Sequence, residues 1–262
     1  MSIKNLLRNI TPKFLKSAYN KTRCRASIFI SKLLYAIFGK EINDYKSIPI
    51  IINNFNRLES LVKLIASLED RGYSNIYIID NKSTYPPLID YYKGCKHPVF
   101  LLEENVGYMA LWKTDLYKKF RHSLYVYTDS DVVLDDNCPD DFMERFVDIL
   151  TRYTNSQKAG FGIRIDDIPD CFKNKTSVIE HESKFWDHEV EDGIYSASID
   201  TTFALYRPFC GGPADDFQET YRTGFPYVIQ HLPWYVNSSM MSEEELYYVS
   251  HVKQSTHWSK QA

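Results

Sequence analysis

Two aspartates one residue apart, Asp129 and Asp131, are the residues whose types and spacing most directly indicate chemistry in this sequence. They follow the apolar segment 124–127 and precede the apolar segment 132–134, so both carboxylates are expected where a strand leaves a sheet. Carboxylate oxygens suit Mg²⁺ or Mn²⁺, and an ion held by one or two carboxylates completes its shell with substrate phosphates. Such an ion relieves the charge that develops on a leaving diphosphate.

Alternating strands and helices from residue 48 onward must position this pair. Helices are predicted over residues 58–68 and 108–120, where apolar residues recur at helical spacing. Four apolar segments are predicted as buried strands, at residues 48–52, 76–79, 98–102 and 124–127. This order predicts an α/β domain with a Rossmann-like, mostly parallel sheet, whose ligands gather at the carboxyl ends of the strands.

Polar residues cluster where each of the four predicted strands ends. The clusters occupy residues 53–57, 80–84, 103–107 and 129–131. Helix capping explains any one cluster, because Asn, Asp and Ser often begin helices. Four clusters at successive strand ends instead indicate one crevice that binds a ligand.

The order and spacing of these clusters, over about residues 48–135, resemble the nucleotide-binding half of family 2-like GT-A glycosyltransferases. The stretch Ile-Pro-Ile-Ile-Ile-Asn-Asn-Phe-Asn-Arg, ending at Arg57, resembles their first strand and loop, and Ile-Asp-Asn-Lys-Ser-Thr, ending at Thr84, resembles their second strand end. Asn-Val-Gly at 105–107 is similar to their Asn-x-Gly, and Asp-Ser-Asp at 129–131 to their DXD motif. The resemblance implies a GT-A fold, with helices on both faces of the sheet, and a nucleoside-diphosphate sugar as donor, a UDP-sugar being favoured.

The resemblance also implies which residues bind the donor. The residues implied to line the nucleotide pocket are Asn54, Phe55, Asn56, Arg57, Asp80, Asn81, Asn105, Gly107, Asp129 and Ser130. One of them departs from the family pattern, because Asn54 stands where a small or hydroxyl residue is usual. The metal is implied on Asp131 and Asp129. His231 resembles the late histidine of many such enzymes, and a neutral imidazole joins Mn²⁺ more readily than Mg²⁺; a core histidine packed on Trp234 is the alternative.

The second half, residues 136–240, is expected to bind the acceptor and to supply a general base. Asp215 and Asp216 follow a Gly-Gly-Pro turn and precede a predicted helix over 217–222, and they resemble a variant of the family's Glu-Asp motif without its glutamate. Capping of that helix is the alternative role. Asp200, near the start of a strand-like run over 199–206, is the reserve candidate. A base must come within hydrogen-bond reach of the attacking hydroxyl, and the resemblance implies transfer with inversion.

Charge is distributed unevenly along the chain. Residues 1–46 contain ten Lys/Arg and two acids, whereas the remainder contains 21 Lys/Arg and 32 Asp/Glu. The leader, residues 1–47, is therefore predicted as a basic amphipathic segment, and residues 1–40 are a candidate for an anionic membrane surface, with a solvated helix packed on the domain as the alternative. Five cysteines without a CxxC pair favour a reducing cytoplasm. Together with the basic leader, they predict a cytoplasmic protein that is peripheral on the inner face of the membrane.

The acceptor is expected to be a glycan or a lipid-linked glycan, and nucleic acid is not expected as a partner. The tail, residues 241–262, contains Glu-Glu-Glu at 243–245 and two later histidines, and no chemistry is evident in it.

Two other classes of protein share part of this pattern. Residues 127–134 also resemble the nucleophile strand of haloacid dehalogenase-type phosphatases, in which Asp129 would attack phosphorus and Asp131 would act as the acid. That motif normally heads its domain, whereas three strands with polar ends precede it here. A non-catalytic sugar- or nucleotide-binding module would need the crevice but no base.

Overall fold

A ten-stranded β-sheet forms the centre of the protein in a computed structural model that describes residues 13–212 and 219–252. In chain order the strands are β1 (Ile50–Asn54), β2 (Ile76–Asp80), β3 (Val99–Leu101), β4 (Tyr125–Asp129), β5 (Val132–Leu134), β6 (Lys158–Ile163), β7 (Glu189–Glu191), β8 (Ile194–Ser196), β9 (Ala204–Tyr206) and β10 (Thr220–His231). In space they follow the order β3-β2-β1-β4-β9-β6-β10-β8-β7, and β5 pairs with β10.

The first four strands pair in parallel, as the sequence predicts. β1 lies between β2 and β4, and β3 borders β2. The register places Asn54 opposite Asp80 and Asn53 opposite Asp129, so the polar residues that end these strands stand side by side. Parallel strands must end at the same edge of a sheet, which is why clusters far apart in sequence meet here.

Helices pack against both faces of the sheet. They are α1 (Lys13–Phe38), α2 (Glu59–Glu69), α3 (Pro86–Gly94), α4 (Ala110–Lys113), α5 (Leu116–Phe120), α6 (Phe142–Arg152), α7 (Lys175–Glu182) and α8 (Glu243–His251). Short 3₁₀ turns lie at Tyr45–Ser47, Gly107–Met109, Ser183–Trp186 and Leu232–Tyr235. The predicted α/β class, with a mostly parallel central sheet and helices on both faces, is confirmed.

Alternate residues of the central strands enter two separate apolar cores. Ile50 and Ile52 of β1 pack with Leu61 of α2, whereas Ile51 packs with Leu111 of α4 on the opposite face. Successive side chains of a strand point to opposite faces, so a strand covered on both sides must be apolar throughout. Each isoleucine that is fully buried in this way contributes about 1.5–3 kcal/mol. These two cores fix the sheet whose polar edge carries the site.

The predicted single helix over 108–120 is wrong. The structure has a 3₁₀ turn followed by α4 and α5, with a break at Thr114. Thr114 has an extended backbone, with ψ 167°, and its hydroxyl donates to the carbonyl of Ala110 at 2.8 Å. A side chain that bonds the preceding turn competes with continuation of the helix.

The second half of the chain departs most from the sequence-based expectations. β9 is antiparallel to both β4 and β6, and it joins the two halves into one sheet. Only Ala204–Tyr206 of the predicted strand over 199–206 is extended, and residues 220–222 of the predicted helix over 217–222 begin the twelve-residue strand β10. Tertiary pairing outweighs local pattern at both places.

The described part of the leader forms one helix that packs on the body along one side. Cys24, Ile28 and Ser31 of α1 are buried, and the Ser31 hydroxyl donates to the carbonyl of Pro208 at 2.5 Å. Among the helices of the described residues, none is both long and apolar enough to cross a bilayer.

Candidate functional site

Asp80, at the end of β2, is held by a chain of hydrogen bonds from neighbouring loops. The Tyr92 hydroxyl donates to Oδ2 of Asp80 at 3.0 Å and accepts from Nδ2 of Asn54 at 2.8 Å. The amide of Ser83 donates to Oδ1 of Asp80 at 2.8 Å. Burial, and then the charge of Asp80, raise the pKa of Tyr92, so its hydroxyl stays protonated and keeps donating. Asn54 and Asp80 therefore meet through Tyr92, which the sequence analysis did not single out.

Two buried asparagines shape the loops that end β1 and β2. Oδ1 of Asn56 accepts from the amides of Thr84 and Tyr85 at 2.7 and 3.0 Å, and Asn56 adopts the left-handed conformation with φ 52°. Oδ1 of Asn81 accepts from the amide of Val106 at 3.1 Å, and its Nδ2 donates to the carbonyl of Gly107 at 3.2 Å. These residues join three of the four strand-end loops, so they form the frame of the crevice.

The third loop closes on itself at the predicted Asn-x-Gly. Oδ1 of Asn105 accepts from the amide of Gly107 at 2.9 Å. Gly107 has φ 76°, a conformation that residues with a Cβ seldom adopt, so the glycine is needed for this turn. Both predicted residues thus lie at the crevice, in a turn that follows β3.

Asp129, the last residue of β4, is enclosed by hydrogen bonds. The Thr201 hydroxyl donates to its Oδ2, and Nδ2 of Asn53 donates to its Oδ1 at 3.4 Å. Burial, and then the charge of Asp131, raise the pKa of Asp129 to about 8, although these hydrogen bonds act in the opposite direction. Ser130, between the two aspartates, is buried.

Asp131 and His231 come together because β10 runs antiparallel to β5. The register places His231 opposite Val132, and the amide of Leu232 donates to the carbonyl of Asp131 at 2.8 Å. Nε2 of His231 lies 3.8 Å from Oδ2 of Asp131. Burial lowers the pKa of His231 more than the charge of Asp131 raises it, so the imidazole is neutral at pH 7. A neutral imidazole is the form that binds a metal ion.

The donor set at this point suits a divalent ion that is shared with a substrate. Nδ1 of His231 is buried and has no hydrogen-bond partner within the part of the chain that the structure describes, and Nε2 lies 3.8 Å from Oδ2 of Asp131. Across the described residues, no group of three or more His, Cys, Asp or Glu side chains is arranged to hold a metal ion. An ion held by Asp131 and His231 would take its remaining ligands from phosphate oxygens and water.

A cavity of about 330 Å³ opens beside His231. Asp200 and Thr202 line it from the segment before β9, and Trp234 lines it from the turn after β10. The remaining lining residues are Ile163, His181, Glu182, Phe185, Ser198, Ile199 and Arg222. Carboxylates, hydroxyls and aromatic rings around one concave surface are the groups that bind a sugar.

Two buried cations fix the wall of this cavity. Nζ of Lys158 donates to the carbonyl of Asp200 at 2.9 Å, and Nε of Arg222 donates to the carbonyl of Ser198 at 2.6 Å. Nη1 of Arg222 also donates to Oε2 of Glu182 at 2.9 Å. These bonds hold segment 198–200, which pairs with no strand among the described residues, and so they place Asp200 at the cavity.

Asp215 and Asp216, the predicted bases, lie outside the described residues. Asp200, the reserve candidate, lies at the cavity. Of the predicted nucleotide residues, Phe55 is half-buried and Arg57 is buried, and both contact the C-terminal helix.

That helix, α8, packs beside these residues in a way that sequence reasoning missed. Its residues Glu244, Glu245 and Tyr248 contact the loop after β1. A signal for the helix was present, because Ser242 and Glu245 have the spacing of a capping box and the Ser242 hydroxyl accepts from the amide of Glu245 at 3.2 Å. Nothing in the sequence shows where that helix docks.

No protein-family model matches the chain, and no curated protein matches it. Among solved structures it is similar to the mannosyltransferase PcManGT from Pyrobaculum calidifontis in complex with GDP-Man and Mn²⁺, at 15% identity over 87% of this chain and 70% of that one, with a TM-score of 0.46. It is similar to S. aureus TarS at 12% identity over 70% of this chain and 36% of that one, with a TM-score of 0.42. It is also similar to GalNAc-T7 with UDP, GalNAc and Mn²⁺, at 14% identity over 70% and 42% of the two chains, with a TM-score of 0.42. The chain thus spans between 36% and 70% of these proteins.

Proposed function

We propose that this protein is a metal-assisted glycosyltransferase of the GT-A type, which moves a sugar from a nucleoside-diphosphate donor to a hydroxyl of a saccharide or lipid-linked saccharide. The observation that carries the proposal is the short distance between Asp131 and His231, whose side chains are 3.8 Å apart. This pair lies beside the polar ends of three parallel strands and next to a cavity of about 330 Å³. Residues 48–135 would bind the nucleotide, with a UDP-sugar favoured, and residues 136–240 would bind the acceptor.

In this proposal Asp131 and His231 hold a Mn²⁺ or Mg²⁺ ion. When bound, the ion supplies a positive charge for the leaving diphosphate. Asp131 contributes a carboxylate oxygen and His231 a neutral nitrogen, and Mn²⁺ is favoured because it accepts imidazole more readily than Mg²⁺ does. Asp129 lies behind this pair, bonded to Thr201 and Asn53, and helps to orient the loop that carries Asp131.

Asp200 is the described residue best placed to act as general base. Asp200 lines the cavity, and Lys158 fixes its backbone from within the protein. A base at this position would take the proton from the acceptor hydroxyl while that oxygen attacks the anomeric carbon from the side opposite the diphosphate, with inversion. Asp215 and Asp216 remain rival bases, and retention of configuration in the product would overturn this assignment.

A thermal-shift screen of UDP, GDP and ADP with and without Mn²⁺ tests the proposal. We expect at least one nucleoside diphosphate to raise the unfolding midpoint only when Mn²⁺ is present, because ligand that binds the folded state stabilises it. Asp131→Asn should abolish the rise, and the exposed Asp136→Asn should keep it. Absence of any such rise would contradict the proposal.

Two further assays on the same protein distinguish a glycosyltransferase from the two other classes of protein. Metal-dependent release of phosphate from simple phosphate esters, lost in Asp129→Asn, would indicate a phosphatase. Binding of a sugar nucleotide without hydrolysis or transfer, across a broad panel of acceptors, would indicate a binding module.

An anionic membrane surface is proposed as the partner of α1. The face opposite Cys24 and Ile28 exposes Phe29, Leu33 and Ile37 by 69%, 52% and 62%. Residues 1–40 contain nine Lys/Arg and no Asp or Glu. Exposed apolar side chains among basic ones are typical of helices that lie in a membrane interface, where each nearby Lys or Arg contributes about 1 kcal/mol. The inner face of a membrane would supply the matching negative charge.

Sedimentation of the full-length protein with liposomes tests this partner. We expect binding to vesicles that contain anionic lipid, weaker binding to neutral vesicles, and loss of binding at high salt. Phe29→Ser with Leu33→Ser should abolish it, whereas Leu101→Ser, at an exposed leucine on the body, should not. Self-association that disappears in the double variant would show that a second copy of the chain covers this face instead.

A further inference from the structure

The C-terminal helix α8 is docked on the loops that end β1 and β2. Oε2 of Glu244 accepts from the amides of Leu58 and Glu59 at 2.7 and 2.8 Å, at the first turn of α2. The Tyr247 hydroxyl bonds to the carbonyl of Thr84 at 2.9 Å, on the loop after β2. The amides at the start of a helix are unsatisfied within that helix, so a buried carboxylate there is a stable anchor. The helix is thus fixed at two of the four loops of the crevice.

Between these anchors, α8 supplies both partners of Arg57. The Glu245 carboxylate accepts from Nη1 and, at 3.3 Å, from Nη2 of Arg57, and the two side chains are 7% and 12% exposed. The ring of Tyr248 lies 3.7 Å from the guanidinium carbon. A buried guanidinium is costly unless it is paired, so Glu245 is what allows Arg57 to keep its charge at this place. Nε of Arg57 is buried and has no hydrogen-bond partner among the described residues.

Tyr248 packs against the loop after β1. Its ring meets Phe55 edge-on, with centroids 6.3 Å apart, and its side chain is half-buried. Burial, and then the charge of Asp131, raise the pKa of Tyr248 to about 12, so its hydroxyl is protonated at neutral pH. A half-buried aromatic ring backed by a guanidinium is suited to contact with a nucleobase or a ribose.

We infer that α8 completes the donor site, with Tyr248 as a contact to the nucleoside and Glu245 as the residue that positions Arg57 toward the donor. The inference rests on the proposed function, because it assigns the nucleoside of the donor to the space beside Phe55, Arg57 and Tyr248. The helix α8 therefore contributes to the affinity for the donor, although the other residues proposed to bind the nucleoside lie within residues 48–135.

Binding of the preferred nucleoside diphosphate with Mn²⁺, measured by calorimetry on the full chain, tests this inference. We expect Tyr248→Leu and Glu245→Gln each to weaken binding about tenfold or more and to raise the KM for the donor by a similar factor. The KM for the acceptor and kcat at saturating donor should stay within about twofold, because these residues do not face the acceptor cavity. Leu246→Ala, at an exposed position of the same helix, is the matched control and should bind like the unaltered protein.

The outcomes separate this inference from the proposed function. If the unaltered protein binds no nucleoside diphosphate, both fail. If it binds and both variants bind equally well, α8 is only a structural support and the inference alone fails. Tighter binding in Glu245→Gln would also overturn it, because the carboxylate would then be competing with the donor for Arg57. A thermal midpoint for each variant, measured without ligand, shows that weaker binding does not reflect unfolding.

Discussion

Nε2 of His231 lies 3.8 Å from Oδ2 of Asp131, although the two residues are a hundred positions apart in the chain. The pairing of β10 with β5 produces this contact, because it sets His231 opposite Val132, the residue that follows Asp131. A shift of one residue in that register would turn the imidazole to the other face of the sheet. The site therefore depends on the pairing of β10 with β5. Substitutions that keep this pairing should change the chemistry of the site without changing the fold.

Replacement of His231 by Gln should weaken the metal-dependent step and leave the fold intact. Loss of one of two protein ligands is expected to reduce Mn²⁺ affinity at least tenfold, because outer ligands from the diphosphate cannot replace it. The affinity is measured by titrating Mn²⁺ at saturating nucleoside diphosphate and following protein fluorescence. His188→Gln, at an exposed histidine, is the control. Equal Mn²⁺ affinity in both variants would show that His231 is a packing partner of Trp234 only.

The residues on the nucleotide side of the site could be predicted from the sequence because each of them lies close in the chain to a strand. Each polar cluster directly follows an apolar strand, and parallel pairing brings those ends together whatever the helices between them do. The contacts of Tyr92 with Asp80 and of Thr201 with Asp129 could not be predicted in this way. These contacts depend on where a helix and a loop pack in the folded protein, and no short-range sequence pattern determines those positions.

Asp200→Asn should reduce kcat strongly while it leaves nucleoside diphosphate binding unchanged. A general base contributes about 10²- to 10⁴-fold, so a fall in that range is expected for transfer to the acceptor. Asp215→Asn and Asp216→Asn, made separately, are the comparison. The acidic limb of the pH profile of kcat should disappear in the variant that lacks the base. A full loss in Asp216→Asn together with normal turnover in Asp200→Asn would move the role to Asp216.

The ion pair between Arg222 and Glu182 should be important for stability. Both side chains are buried, at 3% and 8% exposure, and Arg222 also holds the carbonyl of Ser198. Removing one partner leaves a buried charge, so Glu182→Gln or Arg222→Met is expected to cost about 3–5 kcal/mol of unfolding free energy. The double variant should cost less than the sum of the single ones, as chemical denaturation can measure. Additive losses would show that the two side chains are not coupled.

The second half of the fold was harder to predict because its strands are short or irregular. β9 has three residues, and its place between β4 and β6 reverses the parallel order that the first half establishes. β10 is long, but its pairing with β6 shifts register between Thr223 and Val228, and its sequence does not alternate cleanly. Pairing across the sheet, rather than local preference, determines both strands.

The buried ammonium of Lys158 should make stability depend on pH above neutrality. Burial lowers the pKa of Lys158 from 10.5 to about 7, against the opposing charge of Asp200, while Arg222 lowers it further. Between about pH 7 and pH 10.5 the unfolded chain then binds more protons at this residue than the folded chain does. Its contribution to the unfolding free energy should therefore rise with pH, by about 1.4 kcal/mol per pH unit, and should be constant below about pH 7.

Urea denaturation at pH 6, 7, 8 and 9 measures this effect by comparison with Lys158→Met. Titrations of the other groups largely cancel in the difference between the two proteins, so Lys158 should determine its slope. Between pH 7 and pH 9, the unfolding free energy of the unaltered protein should increase relative to that of Lys158→Met. Lys63→Met, at an exposed lysine of α2, should show no such gain. Parallel curves for the unaltered protein and Lys158→Met would mean that the ammonium keeps its ordinary pKa, and that water or a neighbouring carboxylate stabilises its charge within the fold.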